Sequence, residues 1–229
     1  ISDIEIEKFL TFLRRFILYK IDDLEFLNKV SPLIESLALN CFFNDYVFYV
    51  SEDERKILSN FVDRIFTSNK KVFQQVHVNQ ILCFGLYHNL RDYKLSKKFD
   101  LTTLPEKFLK YCITNPLDES KIIEKIKSFS DIKDDVSIKV KKQYEIFPYP
   151  AWLYTDTYLT KNNILTYLDS LGIKLYNKDL FTQKLTTILI AGCGTGKETT
   201  EIAELIMNTK ITAVDLSFKS LGYAIRKYK

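Results

Sequence analysis

A chain of 229 residues, 46% hydrophobic and 27% charged, carries enough apolar side chain for one large or two small cores and lacks the composition of a disordered protein. Its 33 Lys and Arg against 29 Asp and Glu give a net charge of +4, spread over helical faces rather than gathered into one stripe, so composition does not point to a nucleic-acid partner. No apolar run is long enough to span a membrane and no basic-then-apolar leader opens the chain, so no membrane contact is expected and the cytoplasm is the expected compartment.

Residues 1–135 read as an all-α helical domain. Ile6, Phe9, Leu10, Leu13, Phe16 and Ile17 recur at three- and four-residue steps, which predicts one amphipathic helix with these side chains on its buried face. Similar periodicity predicts helices over Leu24 to Asn40, Glu52 to Phe66, Val72 to Leu90 and Asp118 to Phe129. Ser51 and Glu54 have the spacing of a capping box, and Lys97 to Thr103 and the Asn115-Pro116 step are expected to punctuate the array. Asp22-Asp23 and Asp134-Asp135 read as turn and cap residues. His77 and His88 stand eleven residues apart, too far for a helical metal pair, and read as one core and one surface histidine. The four cysteines, Cys41, Cys83, Cys112 and Cys193, form no Cys-x-x-Cys pair and are expected to be buried thiols, so no metal site is expected.

Residues 136–186 form a connecting segment with a short helix, Asn162 to Leu171, closed by Gly172. Its centre is Tyr144-Glu145-Ile146-Phe147-Pro148-Tyr149-Pro150-Ala151-Trp152, where prolines impose extended backbone and aromatics offer faces. Two readings stand side by side. The segment is a plug packing the helical domain onto the sheet, or it is a pocket lid in which Tyr144 and Tyr149 orient a ligand and Trp152 excludes water.

Residues 187–229 carry the chemistry. Thr187 to Ile190 is β-branched and apolar, as a buried parallel strand should be, and breaks into Gly192-x-Gly194-x-Gly196 before a helix predicted over Lys197 to Met207. A second strand, Ile211 to Val214, ends in Asp215, nineteen positions after Gly196. Glycines suit a sharp turn that a ligand approaches closely, and an acid at the end of the adjacent strand suits the hydroxyls of a ribose. A phosphate-binding Walker loop fails on Ala191 and Glu198, and the dinucleotide fingerprint fails at Lys197. Glu198 in the first helical turn would repel a pyrophosphate and tolerate a sulfonium.

Leu189-Ile190-Ala191-Gly192-Cys193-Gly194-Thr195-Gly196 with Ala213-Val214-Asp215-Leu216-Ser217 resembles the glycine motif and the following acidic motif of class I S-adenosylmethionine-dependent methyltransferases. Gln143 to Trp152 and Cys41 to Phe48 are similar to signatures in bacterial methyltransferases that carry tetratricopeptide repeats before the catalytic domain. The resemblance implies S-adenosyl-L-methionine as cofactor, held by Gly192, Cys193, Gly194, Thr195, Gly196, Asp215 and Leu216, and a Rossmann-like sheet beginning β-α-β-α after the helical domain. The acid that many such enzymes carry just before the turn is replaced by Ala191. The implied sheet has seven strands, so the chain is expected to be an internal segment of a longer protein, with catalytic residues and repeats outside it, and inactive alone. Methyl transfer needs alignment more than acid–base groups, so no nucleophile is nominated and the methyl acceptor is not identified. Two rival readings are a helical protein-interaction module with a vestigial half-sheet, whose partner would bind the helical region, and a fragment of an NAD-dependent oxidoreductase.

Overall fold

The computed structural model describes residues 4–67, 77–93, 99–129, 131–146, 148–155, 161–181 and 185–228. The chain divides into two compact units, Ile1–Pro116 and Leu117–Lys229: a helical unit, then one that adds a small parallel sheet to helices.

In the first unit α1 spans Ile4–Tyr19, α2 Leu24–Lys29, α3 Ser31–Phe43, α4 Glu52–Thr67, α5 Val78–Phe84 and α6 Glu106–Phe108, with a π-turn over Leu109–Thr114. The helix expected over Leu24 to Asn40 is two helices. Pro32, in the first turn of α3, has no N–H and its ring would strike the carbonyl four residues back, so α2 ends before it. Asp23 caps α2 through its carboxylate, which accepts from the Phe26 N–H. The predicted capping box at α4 is present: Ser51 N donates to Glu54 Oε2 at 2.7 Å and Glu54 N to Ser51 Oγ at 3.4 Å. Of the helix expected over Val72 to Leu90, residues 72–76 lie outside the described residues and the described part ends at Gly85. Lys97 likewise lies outside them.

The core of this unit gathers Ile17, Leu18, Leu27, Ile34, Leu37, Ile65, Ile81, Leu82, Phe84, Leu86 and Phe108. The buried face of α1 differs from the one expected. Leu10, Leu13 and Ile17 turn inward together with Arg14, but Ile6, Phe9 and Phe16 are exposed. Apolar residues surround α1 on more than one side, so periodicity alone could not choose the inner stripe.

Helix α7 spans Asn115–Ile123, all but its first two residues in the second unit, and α8 (Asp135–Ile146) and α9 (Ile164–Ser170) follow. Pro116 does not interrupt the helix as expected: α7 continues directly from the π-turn over Leu109–Thr114, with Asn115 at the junction in helical conformation (φ −56°, ψ −49°). Gly172 follows α9 at φ 72°, and Ile173 N donates to Leu168 O at 3.0 Å, closing that helix as predicted. The expected domain limit after residue 135 also moves. Glu119 accepts from Arg226 Nε at 2.6 Å, and Ile123 packs so closely over Gly222 that a Cβ there would stand 2.8 Å from it, so residues 117–135 belong with the sheet.

Strands β1 (Thr186–Ala191) and β2 (Thr209–Val214) pair in parallel, from Thr186 opposite Thr209 to Ala191 opposite Val214. They flank α10 (Lys197–Leu205), and α11 (Phe218–Lys227) follows β2. Exposure alternates along β1, with Leu189 67% exposed, so the strand expected to be buried is sheltered on one face.

Candidate functional site

Past β1 the chain enters the left-handed region at Gly192, Gly194 and Gly196, with φ of 76°, 53° and 79°. Side chains strain there, which accounts for the residue type. The three glycines nonetheless face different surroundings. A Cβ on Gly192 would meet nothing within 4 Å, whereas one on Gly194 would stand 2.9 Å from the Tyr149 carbonyl oxygen and one on Gly196 2.8 Å from Ala224 Cβ. Only at Gly192 is the space beside the backbone open. The other two glycines make room for the protein's own backbone and for α11.

Asp215 reaches the turn as its position at the end of β2 predicts. Its Oδ2 accepts from Gly194 N and its Oδ1 from Ser217 N, each at 2.8 Å. The carbonyl of Val214 accepts from Gly192 N at 2.8 Å and Cys193 N at 3.0 Å, and Gly196 N donates to Cys193 O. The N–H groups of Gly192, Cys193, Gly194 and Gly196 are thus engaged within the protein rather than aimed outward as a phosphate cradle would require.

Beside this turn lies a cavity of about 1050 Å³. Gly192, Cys193, Gly196, Asp215 and Leu216 line one part of it; Ile211, Ala213, Leu221, Ala224, Ile225 and Tyr228 extend its wall with apolar surface. Of the residues expected to hold a cofactor, Gly194 and Thr195 are absent from this lining among the described residues. Burial, reinforced by Asp215, pushes the Cys193 thiol up to about 11, which leaves it a neutral packing group. Several lining residues were not among the candidates from the sequence, Lys141, Thr199 and Phe218 among them. Lys141 sits on α8 with its Nζ 4.5 Å from the Phe218 ring centroid, and Thr199, buried in the first turn of α10, has a hydroxyl with no partner among the described residues. Nothing in the linear spacing of Lys141 and Phe218 announces that contact.

The three lid candidates do not line this cavity. Tyr149 is 71% exposed and Tyr144 also faces solvent, each meeting the turn region through its carbonyl: Tyr149 O over Gly194, Tyr144 O accepting from Ser217 Oγ at 3.1 Å. Trp152 is half-buried and its indole Nε1 donates to Thr195 O at 3.0 Å. Phe147 lies outside the described residues.

His77 caps α5, its Nδ1 accepting from Asn79 N, while burial lowers the pKa of His88, which lies 4.8 Å from the Phe84 ring centroid. All four cysteines are buried and free. Among the described residues no cluster of His, Cys, Asp and Glu could hold a metal ion, and no helix is long and apolar enough to cross a membrane. Comparison with family models, curated proteins and solved structures returns no match for this chain.

Proposed function

We propose that the second unit holds the nucleoside end of S-adenosyl-L-methionine as part of a Rossmann-like methyltransferase. The observation that carries this reading is the meeting of the Asp215 carboxylate and the open Gly192 at one cavity. Each Asp215 oxygen accepts one backbone N–H and keeps lone-pair capacity for a ribose hydroxyl, with Leu216 beside it to pack on the purine. Two features favour a sulfonium cofactor over a dinucleotide. The N–H groups of Gly192, Cys193, Gly194 and Gly196 are already engaged, and Glu198 in the first turn of α10 opposes a pyrophosphate.

Titration of the chain with S-adenosylhomocysteine, followed by amide chemical shifts, tests the proposal even if binding is weak. Shifts are expected at Gly192, Cys193, Asp215 and Leu216, with none at these positions from NADH. Asp215→Ala is expected to weaken binding by about 1–3 kcal/mol, the range for removing a buried hydrogen-bonding partner. Equal responses to both ligands, or shifts confined to the helical unit, would overturn the assignment in favour of a dinucleotide site or an interaction module.

A further inference from the structure

The aromatic segment binds to the glycine turn and to α11 mainly through groups that hold backbone in place. Thr195 is completely buried; its hydroxyl donates to Pro150 O and its carbonyl accepts from the Trp152 indole. Trp152 is itself gripped from α11, where the Tyr223 hydroxyl accepts from Trp152 N at 3.1 Å and donates to Trp152 O. Lys227, one turn further along α11, donates to Leu153 O at 2.7 Å and lies 4.3 Å from the Trp152 ring centroid. At the other end of the segment Glu145 accepts from Phe218 N at 2.6 Å, on the first residue of α11. The Tyr149 carbonyl occupies the space that any side chain at position 194 would need.

These contacts tie the described residues among 144–153 to two of the segments that line the cavity, the turn carrying Gly192 and the stretch after Asp215. A hydrogen bond from a rigid indole fixes the Thr195 peptide plane, and adjoining peptide planes follow because ω is planar and φ and ψ in the turn are confined. We propose that Trp152 is a positioning residue that sets the backbone of the Gly192–Gly196 turn for ligand binding, with Tyr223 acting through it. The brace follows from the geometry; the ligand it serves rests on the methyl-donor reading above.

The test uses Trp152→Phe, which keeps an aromatic ring and loses the indole donor, and Tyr223→Phe, which removes one hydroxyl and retains the chain's single tryptophan as a fluorescent probe. In either variant, amide exchange within residues 192–196 is expected to quicken by about threefold to tenfold, the loss of one hydrogen bond, while exchange in β2 stays unchanged. S-adenosylhomocysteine affinity should fall by a similar factor. Lys219→Met, exposed on α11 and outside the contacts to residues 144–153, should leave both readings at the wild-type level. Unchanged exchange across 192–196 in both aromatic variants overturns the proposal, as does faster exchange with undiminished affinity. Failure of the wild type to bind S-adenosylhomocysteine overturns the methyl-donor reading instead, and the exchange measurement then decides the brace by itself.

Discussion

Arg14 and Glu54 lie inside the helical unit at 1% and 0% exposure, where charged side chains occur only when their surroundings compensate them. The Arg14 guanidinium lies over the rings of Tyr87 and Phe48, 4.2 and 5.2 Å from their centroids, and Nη2 donates to Tyr49 O, while Nε and Nη1 find no acceptor among the described residues. Glu54 accepts from the Tyr87 hydroxyl at 2.6 Å and from Ser51 N, with Arg15 Nε 3.3 Å away. Burial alone would raise the Glu54 pKa; the bonds from Tyr87 and Ser51 and the charge of Arg15 outweigh it and hold the carboxyl below its ordinary range. A depressed carboxyl stabilises the fold fully above its unfolded pKa, about 4.3, and loses that contribution as pH falls through the folded value. Glu54→Gln should therefore cost about 1–3 kcal/mol near pH 7, with wild type and variant converging below about pH 4. Melting curves followed by far-UV circular dichroism across that range check it, and a gap constant into acid would assign the cost to shape rather than charge.

Helix ends in this chain follow local chemistry, whereas helix faces do not. The Ser51–Glu54 box is recognisable from four consecutive residues because both partners lie within one turn. Gln80 shows what local spacing leaves out. Its Oε1 accepts from His77 N to complete the α5 cap, and its Nε2 donates to Ile21 O at 3.0 Å, tying α5 to the end of α1 across 59 positions. Gln80→Ala strands both backbone groups and is expected to cost about 1–3 kcal/mol. Phe9→Ala, on the same framework but 60% exposed, should change stability by no more than about 0.5 kcal/mol. Chemical denaturation compares the two. A large loss from Phe9→Ala would place that ring in a contact absent from this structure.

The two units differ most in how much apolar surface they remove from water. Nearly all fully buried hydrophobic side chains among the described residues belong to the first unit; Cys193 and Ile206 are those of the second, whose other buried positions include the polar Thr195, Thr199, Ser217 and Ser220. Hydrophobic burial is the main term opposing chain entropy, so the second unit is expected to unfold first. Trp152, the single tryptophan, lies in that unit, and its fluorescence should change at lower denaturant concentration than the far-UV signal, which the helices of the first unit dominate. Coincident transitions would show that the units unfold together.

The amino-acid sequence by itself determined a helical first part, the β-α-β-α order of residues 186–227, the caps at Ser51 and Gly172, and the spacing that brings Asp215 to the glycine turn. Each depends on neighbours a few residues apart or on a single crossover, and such information is carried by local propensity and periodicity. Tertiary structure alone decided which side of α1 is buried, that Glu119 and Ile123 join α11, that Gly194 and Gly196 make room for Tyr149 and Ala224 rather than for a ligand, and that Trp152 grips the turn. Those outcomes rest on pairs separated by tens of positions, and residue type does not reveal which partner will fill the space beside a glycine or accept a bond from an indole until the chain has packed.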